Sequence, residues 1–223
     1  MNDPVSATVS HLCAVCPNNA TVFCAGCDNI KYCSPACEKL DADQHNTLCS
    51  TFKDFQERPS PNHFRSIYFP VNEFRTRFIW LCLDGSRGFH QINHAESSQY
   101  VPGSQSQSIA VQSHHGISPQ REYKNEMIIV CDEAMFVNDR SINECLWRLI
   151  GPVAQRWRGG YVGVGFKYHY GADFSQLDAA DCGLVEDDFP SVALDLDTTS
   201  LVPLVVYLAW YSRRKASEGL FGF

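Results

Sequence analysis

The pattern of apolar and polar positions predicts small, separate elements in the first 56 residues. Residues 1–12 show no apolar periodicity, which predicts a disordered tail. Short β segments are predicted around Val22–Phe23 and Lys31–Tyr32, where apolar or β-favouring residues stand between turn residues. Ser34 followed by Pro35 predicts the start of a helix, because serine caps well and proline fits the first helical position.

A second helix is predicted to begin at Asp41, with Gln44 completing a capping box, and to cover residues 42–55. Side chains that are apolar or suited to metal binding then recur every three or four residues, at His45, Leu48, Cys49 and Phe52. This spacing places them on one helix face. Since that face holds few apolar groups, we expect the N-terminal region to have almost no core without metal.

The second part of the chain alternates strand and helix patterns. Five strands are predicted, at Ser66–Phe69, Phe78–Leu83, Met127–Cys131, Tyr161–Tyr168 and Ala193–Leu196. A turn at residues 84–86 is expected to end the second of them, and the polar residues 97–108 are expected to form a mobile surface loop.

Three helices are predicted in the same part. The clearest covers Ser141–Gly151, with Ser141 and Glu144 as a capping box. A short helix is expected near residues 175–182, and Ser200 is expected to cap a terminal helix. The apolar run within that helix, residues 201–211, falls well short of the roughly 20 residues that a membrane-spanning helix needs. We therefore expect an α+β domain and no membrane insertion.

Composition and charge argue against some classes of function. The chain has 223 residues and a formal net charge of −7, and no segment carries the basic stripe that phosphate neutralisation requires. Nucleic-acid binding is therefore not expected. The N-terminus lacks the pattern of a secretory signal, and we expect an intracellular protein, with cytoplasm and nucleus left open.

Cysteine spacing provides the strongest chemical signal. Eight residues suited to zinc stand between positions 13 and 49: Cys13, Cys16, Cys24, Cys27, Cys33, Cys37, His45 and Cys49. Thiolate and imidazole are the ligands that Zn²⁺ prefers, and four of them close a structural site. Eight ligands predict two zinc ions. A disulfide framework is disfavoured because the seven cysteines are odd in number and the eighth ligand is a histidine.

The spacing alone permits two ways of sharing these ligands. In a consecutive arrangement the first four bind one ion and the last four bind the other. In an interleaved arrangement the first and third pairs share one ion, and the second and fourth pairs share the other. Residue spacing does not decide between them.

The strings CAVC, CAGC and YCSPAC, followed by His45 and Cys49, resemble a MYND zinc finger. The resemblance implies interleaved sites, with the two ligand sets as follows: Cys13, Cys16, Cys33 and Cys37 for the first zinc; Cys24, Cys27, His45 and Cys49 for the second. It also implies a protein-interaction module acting in an adaptor or regulatory subunit. The expected organisation is a finger at residues 13–56, a proline-containing linker at 57–63 and an α+β domain at 64–223.

Two positions depart from the family's peptide-binding pattern. The family often has Gln and Trp where this chain has Glu38 and Ala42. We therefore expect weak or absent binding of the usual proline–leucine peptides, with the finger docking on its own second domain or on a different protein partner. Residues 67–85 also resemble the region after the finger in uncharacterised fungal MYND proteins.

The alternative is an enzyme, or an accessory subunit of a fungal metabolic pathway, with its site in residues 64–223. The candidate groups are five histidines, several carboxylates and four cysteines: His90, His94, His114, His115, His169, Glu186, Asp187, Asp188, Asp195, Asp197, Cys82, Cys131, Cys145 and Cys182. The histidine pair and the acidic run are typical of solvated surface, and the cysteines are typical of buried structural thiols. No catalytic residue is assigned.

Overall fold

The protein consists of an N-terminal finger followed by a sheet-rich domain with helices. The computed structural model describes residues 12–86, 89–102, 106–111, 126–132, 140–168 and 191–217. Among the predictions that lie outside these ranges are most of the tail at 1–12, the helix near 175–182, and the candidates His114, His115, His169, Cys182 and Glu186–Asp188.

The finger is built from a minimal hairpin and one long helix. Strands β1 (Val22–Phe23) and β2 (Lys31–Tyr32) pair antiparallel, as predicted. Helix α1 runs from Pro35 to Cys49, and the hydroxyl of Ser34 caps it by accepting a hydrogen bond from the amide of Cys37. A 3₁₀ turn at Phe52–Phe55 follows.

The prediction of a second helix beginning at Asp41 is wrong, because α1 is continuous through this position. The Asp41 carboxylate does not cap a helix start; it accepts a hydrogen bond from the hydroxyl of Tyr32 at 2.7 Å, and both side chains are buried. Asp41 therefore bonds a residue distant in the chain, Tyr32, although the local sequence pattern predicted that it would cap a helix.

The described residues of the second part contribute seven strands to one antiparallel sheet. Their bounds are β3 His63–Phe69, β4 Arg77–Ser86, β5 Phe89–Ile92, β6 Ser106–Val111, β7 Glu126–Asp132, β8 Tyr161–Tyr168 and β9 Ser191–Leu194. The order across the sheet is β5-β4-β3-β8-β7-β6, with β9 also paired to β8. In the register, Ile67 of β3 and Ile129 of β7 both face Gly163 of β8.

All five predicted strands are present. The structure differs from the predictions at one expected turn, at one expected loop and at the end of the last strand. Residues 84–86 form no terminating turn, since they continue β4 and pair with β5. The predicted loop at 97–108 contains the end of a short helix α2 (His94–Ser97) and the start of β6. The last strand ends at Leu194, because the backbone amide of Leu196 turns to the carbonyl of Arg65 instead.

Helix α3 spans Glu144–Ile150, three residues shorter at its start than predicted. Its cap is Asn143 and not Ser141. The Asn143 Oδ1 atom accepts a hydrogen bond from the amide of Leu146 at 2.7 Å, while its Nδ2 donates to the carbonyls of Phe69 and Gly159. Asparagine can satisfy the helix and two buried carbonyls at once, which a serine hydroxyl cannot.

Helix α4 (Leu201–Ser217) covers one face of the sheet. Its Leu204 lies so close to β8 that a Cβ added at Gly163 would stand 2.5 Å from the Leu204 Cδ1 atom. The absence of a side chain at Gly163 therefore permits this close packing. None of the described helices combines the length and apolar character needed to cross a membrane.

The finger packs on this same α4 side of the sheet. Buried cysteines of the finger and buried side chains of α4, such as Leu201 and Leu208, belong to one apolar cluster. The guanidinium of Arg65 lies 4.7 Å from the Phe52 ring centroid and donates hydrogen bonds to the carbonyls of Phe55 and Leu196. The hydroxyls of Thr47 in α1 and Thr76 before β4 lie 2.8 Å apart. The domain boundaries predicted above stay predictions.

Candidate metal centre

Four cysteines form a group at the start of the finger and of helix α1, here called the first tetrad: Cys13, Cys16, Cys33 and Cys37. The Cys16 and Cys33 sulfurs are 3.4 Å apart, and those of Cys33 and Cys37 are 3.6 Å apart. The Ser34 cap fixes the first turn of α1 and so sets the position of Cys37. Cys13 is fully buried, whereas the other three are half-buried.

The second tetrad consists of Cys24, Cys27, His45 and Cys49, and all four side chains are buried. His45 and Cys49 stand one helical turn apart on α1, so both point to the same side. The Nε2 atom of His45 lies 3.2 Å from the sulfur of Cys24 and 3.7 Å from that of Cys27. The sulfurs of Cys24 and Cys49 are 3.6 Å apart.

The tetrads interleave along the chain. Each combines one Cys-x2-Cys pair from the loops with two later side chains, which lie on α1 except for Cys33, just after β2. Within each tetrad the potential ligand atoms lie within 4.8 Å of one another. The consecutive arrangement, which the spacing left open, is not the one that the fold brings together. Each tetrad supplies four soft or borderline donors to one point, which is the donor set of a closed structural zinc site.

In the second tetrad, burial disfavours a thiolate that has no cation beside it. Burial, followed by the hydrogen bond with Cys24, raises the pKa of the Cys49 thiol to about 12. Burial also lowers the pKa of His45, which keeps the imidazole neutral and its ring nitrogen free to act as a ligand. A divalent metal that displaces the thiol protons offsets the cost of gathering several thiolates in a buried place.

The backbone at Gly26 lies close to a ligand of the second tetrad. A Cβ added at Gly26 would lie 2.6 Å from the Cys49 sulfur, closer than real Cβ contacts. The equivalent position of the first Cys-x2-Cys pair is Val15, whose side chain is exposed. The residues present thus fit two zinc ions, the second more tightly enclosed than the first.

The candidate groups of the second domain serve structural roles where they are described. His90 packs edge-on against Phe64 at 4.7 Å, and its Nδ1 accepts a hydrogen bond from the amide of Ala193. Asp195 forms an ion pair with Arg58 at 2.8 Å, and Asp197 caps the 3₁₀ turn at Thr198–Ser200. His94 opens the four-residue helix α2.

Of the described cysteines outside the finger, Cys131 and Cys145 are buried, as predicted, whereas Cys82 is only half-buried. Burial raises the pKa of Cys131 and of Cys145 to about 12, which disfavours the thiolate that a nucleophile needs. Cys82 is half-buried, and burial raises its pKa as well. Within the described residues, the two tetrads are the places where three or more His, Cys or carboxylate side chains gather closely enough to hold a metal.

The sequence patterns did not predict two contacts that the residues around the tetrads make. The Tyr32–Asp41 hydrogen bond joins the residue before Cys33 to the helix turn before His45, so it connects the two sites. Thr198, 171 positions after Cys27, places its hydroxyl oxygen 3.9 Å from the Cys27 sulfur. Nothing local in the sequence indicates either contact, because each depends on how distant segments pack.

Comparison with known proteins extends over the finger. Residues 13–49 match the MYND finger family. No curated protein matches the chain, and no solved structure matches it. The MYND finger is therefore present at residues 13–49, and the two tetrads are suited to its two zinc ions.

Proposed function

We propose that the protein is an adaptor or regulatory subunit whose MYND finger binds a protein partner. The zinc-suited tetrads supply the finger's stability, so its remaining apolar side chains are not all needed for a core. The observation that carries the proposal is the exposure of such side chains on the hairpin end of the finger: Leu12, Val15, Val22 and Phe23. Exposed apolar side chains are typical of interaction surfaces where they form one contiguous patch, and we propose that these four do so.

The most prominent of these groups is Phe23, with 52% of its surface exposed. The ammonium of Lys31 lies 4.3 Å above its ring, which leaves the aromatic group beside a positive charge. A partner segment with an apolar side chain and a nearby carboxylate would complement this pair. We propose that this chemistry, in an intracellular partner, is what the finger recognises.

The usual proline–leucine peptide of MYND fingers is a less favoured ligand. Glu38 is half-buried on α1 and adds a negative charge, and Ala42, also half-buried, offers no aromatic wall. An aromatic anchor of this kind commonly contributes about 2 kcal/mol or more to binding. We propose that contacts with the second domain or with a different partner replace this mode of binding.

Affinity capture with the zinc-loaded full chain, followed by purified binding assays, tests the proposal. The double variant Val15→Ser, Phe23→Ala should weaken the captured partner's binding by about 10-fold or more. The matched control is Leu40→Ser, because Leu40 is also exposed and apolar but lies on α1. Equal binding by the double variant and the natural chain, with both metals retained, would contradict the proposed surface.

A peptide titration separates the alternatives. The natural full chain should bind a proline–leucine peptide weakly or not at all, and the Ala42→Trp, Glu38→Gln variant should gain affinity. Micromolar binding by the natural chain would refute the claim that these two positions disfavour the usual peptide.

A further inference from the structure

A short segment of the second domain, Asp197–Thr198, lies directly on the loop that carries two ligands of the second tetrad. The side chain of Asn29 meets this segment with both of its polar atoms. Its Oδ1 accepts hydrogen bonds from the Thr198 hydroxyl at 2.5 Å and from the Thr198 amide at 3.2 Å. Its Nδ2 donates to the Asp197 carboxylate at 3.4 Å. Thr198 is only 2% exposed and Asn29 is half-buried, so these bonds are partly shielded from solvent.

The position of Asn29 depends on the metal-binding loop. Asn29 follows the ligand Cys27 by two residues, and between them Asp28 adopts a left-handed conformation with φ of 55°. The amide of Asp28 donates to the carbonyl of Cys24 at 2.9 Å, which closes the turn around the Cys-x2-Cys pair. A metal held by Cys24 and Cys27 would fix this turn and, through it, the direction of the Asn29 side chain.

Hydrogen bonds within the Asp197–Ser200 turn fix the conformation of the segment that contacts Asn29. The Asp197 carboxylate accepts hydrogen bonds from the amide and hydroxyl of Thr199, and the Asp197 amide donates to the hydroxyl oxygen of Ser200. This capping box starts the turn that leads into α4. The contact therefore joins two turns that are each closed by hydrogen bonds of their own.

We propose that the second tetrad is a metal-dependent latch between the finger and the second domain. A metal in this tetrad holds the Cys24–Asn29 loop in the shape that Asp197 and Thr198 bind. Loss of that metal releases the contact and loosens the finger from the α4 side of the sheet. By linkage, the contact must in turn strengthen metal binding at the second tetrad by the same factor.

Among the residues that the structure describes, the half-buried ligands of the first tetrad form no hydrogen bond to the second domain. The hydrogen bonds of Cys16, Cys33 and Cys37 run to one another and to Ser34, all inside the finger. The latch should therefore respond to the metal of the second tetrad and not to that of the first. This inference goes beyond the proposed partner binding and stands or falls separately from it.

The test compares buried threonines of the second domain that contact the finger. Thr198→Val removes the hydroxyl that bonds Asn29, and Thr198→Ser keeps it. Thr76→Val is the matched control, because Thr76 is buried and its hydroxyl bonds Thr47 of α1, which is not a ligand. Each zinc-loaded full-length variant is titrated with a chelator, and the freed thiols are alkylated and assigned by peptide mass spectrometry.

We expect Thr198→Val to free Cys24, Cys27 and Cys49 at about 10-fold lower chelator concentration than the natural chain, as for loss of an outer-shell partner. Cys16, Cys33 and Cys37 should be freed at an unchanged concentration, and Thr198→Ser should behave like the natural chain. Equal shifts at both tetrads, no shift, or the same selective shift in Thr76→Val would each overturn the proposal.

A second variant keeps the test decisive if Thr198→Val does not fold. Asn29→Ala removes the partner from the finger side, at a half-buried loop position, and should give the same selective shift. The reciprocal measurement is hydrogen exchange at the Thr198 amide, which donates to Asn29. This amide should exchange at least 10-fold faster after chelation, and equal protection with and without zinc would also overturn the latch.

Discussion

The two tetrads of the finger have nearly the same donors but different surroundings. Three of the four ligands of the first tetrad are half-buried, and within the described part of the chain their hydrogen bonds stay inside the finger, beside exposed Leu12 and Val15. The second tetrad is buried on every ligand and lies against Thr198 of the second domain. The second tetrad thus forms part of the contact between finger and sheet domain, and we propose that the first supports the exposed surface beside it.

Removal of a ligand from each tetrad should give the largest difference. Cys49→Ser should lose the second metal and lower the melting temperature by about 10 °C or more, because structural zinc supplies several kcal/mol and Cys49 lies in the core that includes α4. Cys16→Ser should lose the first metal with a smaller decrease. Thermal unfolding with elemental analysis measures both effects. Equal melting temperatures in the two variants would contradict the claim that the second tetrad contributes more to stability than the first.

A smaller change can be made at equivalent positions of the two Cys-x2-Cys pairs. Gly26→Ala places a Cβ against the Cys49 sulfur and should weaken zinc binding at the second tetrad by about 10-fold to 100-fold, the usual cost of overpacking a tight site. Val15→Ala is the control, since that side chain is exposed, and should leave both metals bound. Chelator competition measures the change; unchanged binding in Gly26→Ala would contradict the tight enclosure of this site.

The hydrogen bond that supports both tetrads should have the smallest effect. Tyr32→Phe leaves the buried Asp41 carboxylate without its donor and should cost about 1.5–3 kcal/mol of stability. Because Tyr32 precedes a ligand of the first tetrad and Asp41 precedes one of the second, both metals should be released slightly earlier. Denaturant unfolding with thiol labelling tests this, and an effect confined to one tetrad would show that the bond does not connect them.

The metal chemistry could be predicted from the sequence because ligand spacing is local. Cys-x2-Cys pairs, the Ser34–Pro35 helix start and the strand at Tyr161–Tyr168 each depend on residues close together in the chain. The pairing of ligands did not follow from spacing; it entered through resemblance to a family. The structure then brought together the interleaved groups.

The errors arose where a local pattern met a stronger distant partner. Asp41 and Ser141 both had the sequence environment of a helix cap, but Tyr32 engages the first, and Asn143 takes the place of the second by bonding two buried carbonyls. The contact of Asn29 with Thr198 spans 169 positions and has no local signal at all. The expectation that the N-terminal region has almost no core without metal stays a prediction, although buried side chains of the finger share an apolar cluster with α4.

The order of zinc release tests the difference between the tetrads most directly. The zinc-loaded full chain is exposed to a chelator for increasing times, and the newly reactive thiols are alkylated and quantified one by one. We expect Cys16, Cys33 and Cys37 to react first, at a rate about 10-fold or more above that of Cys24, Cys27 and Cys49. Simultaneous labelling of both groups, or earlier labelling of the second, would contradict the assignment of the second tetrad to the contact between finger and domain.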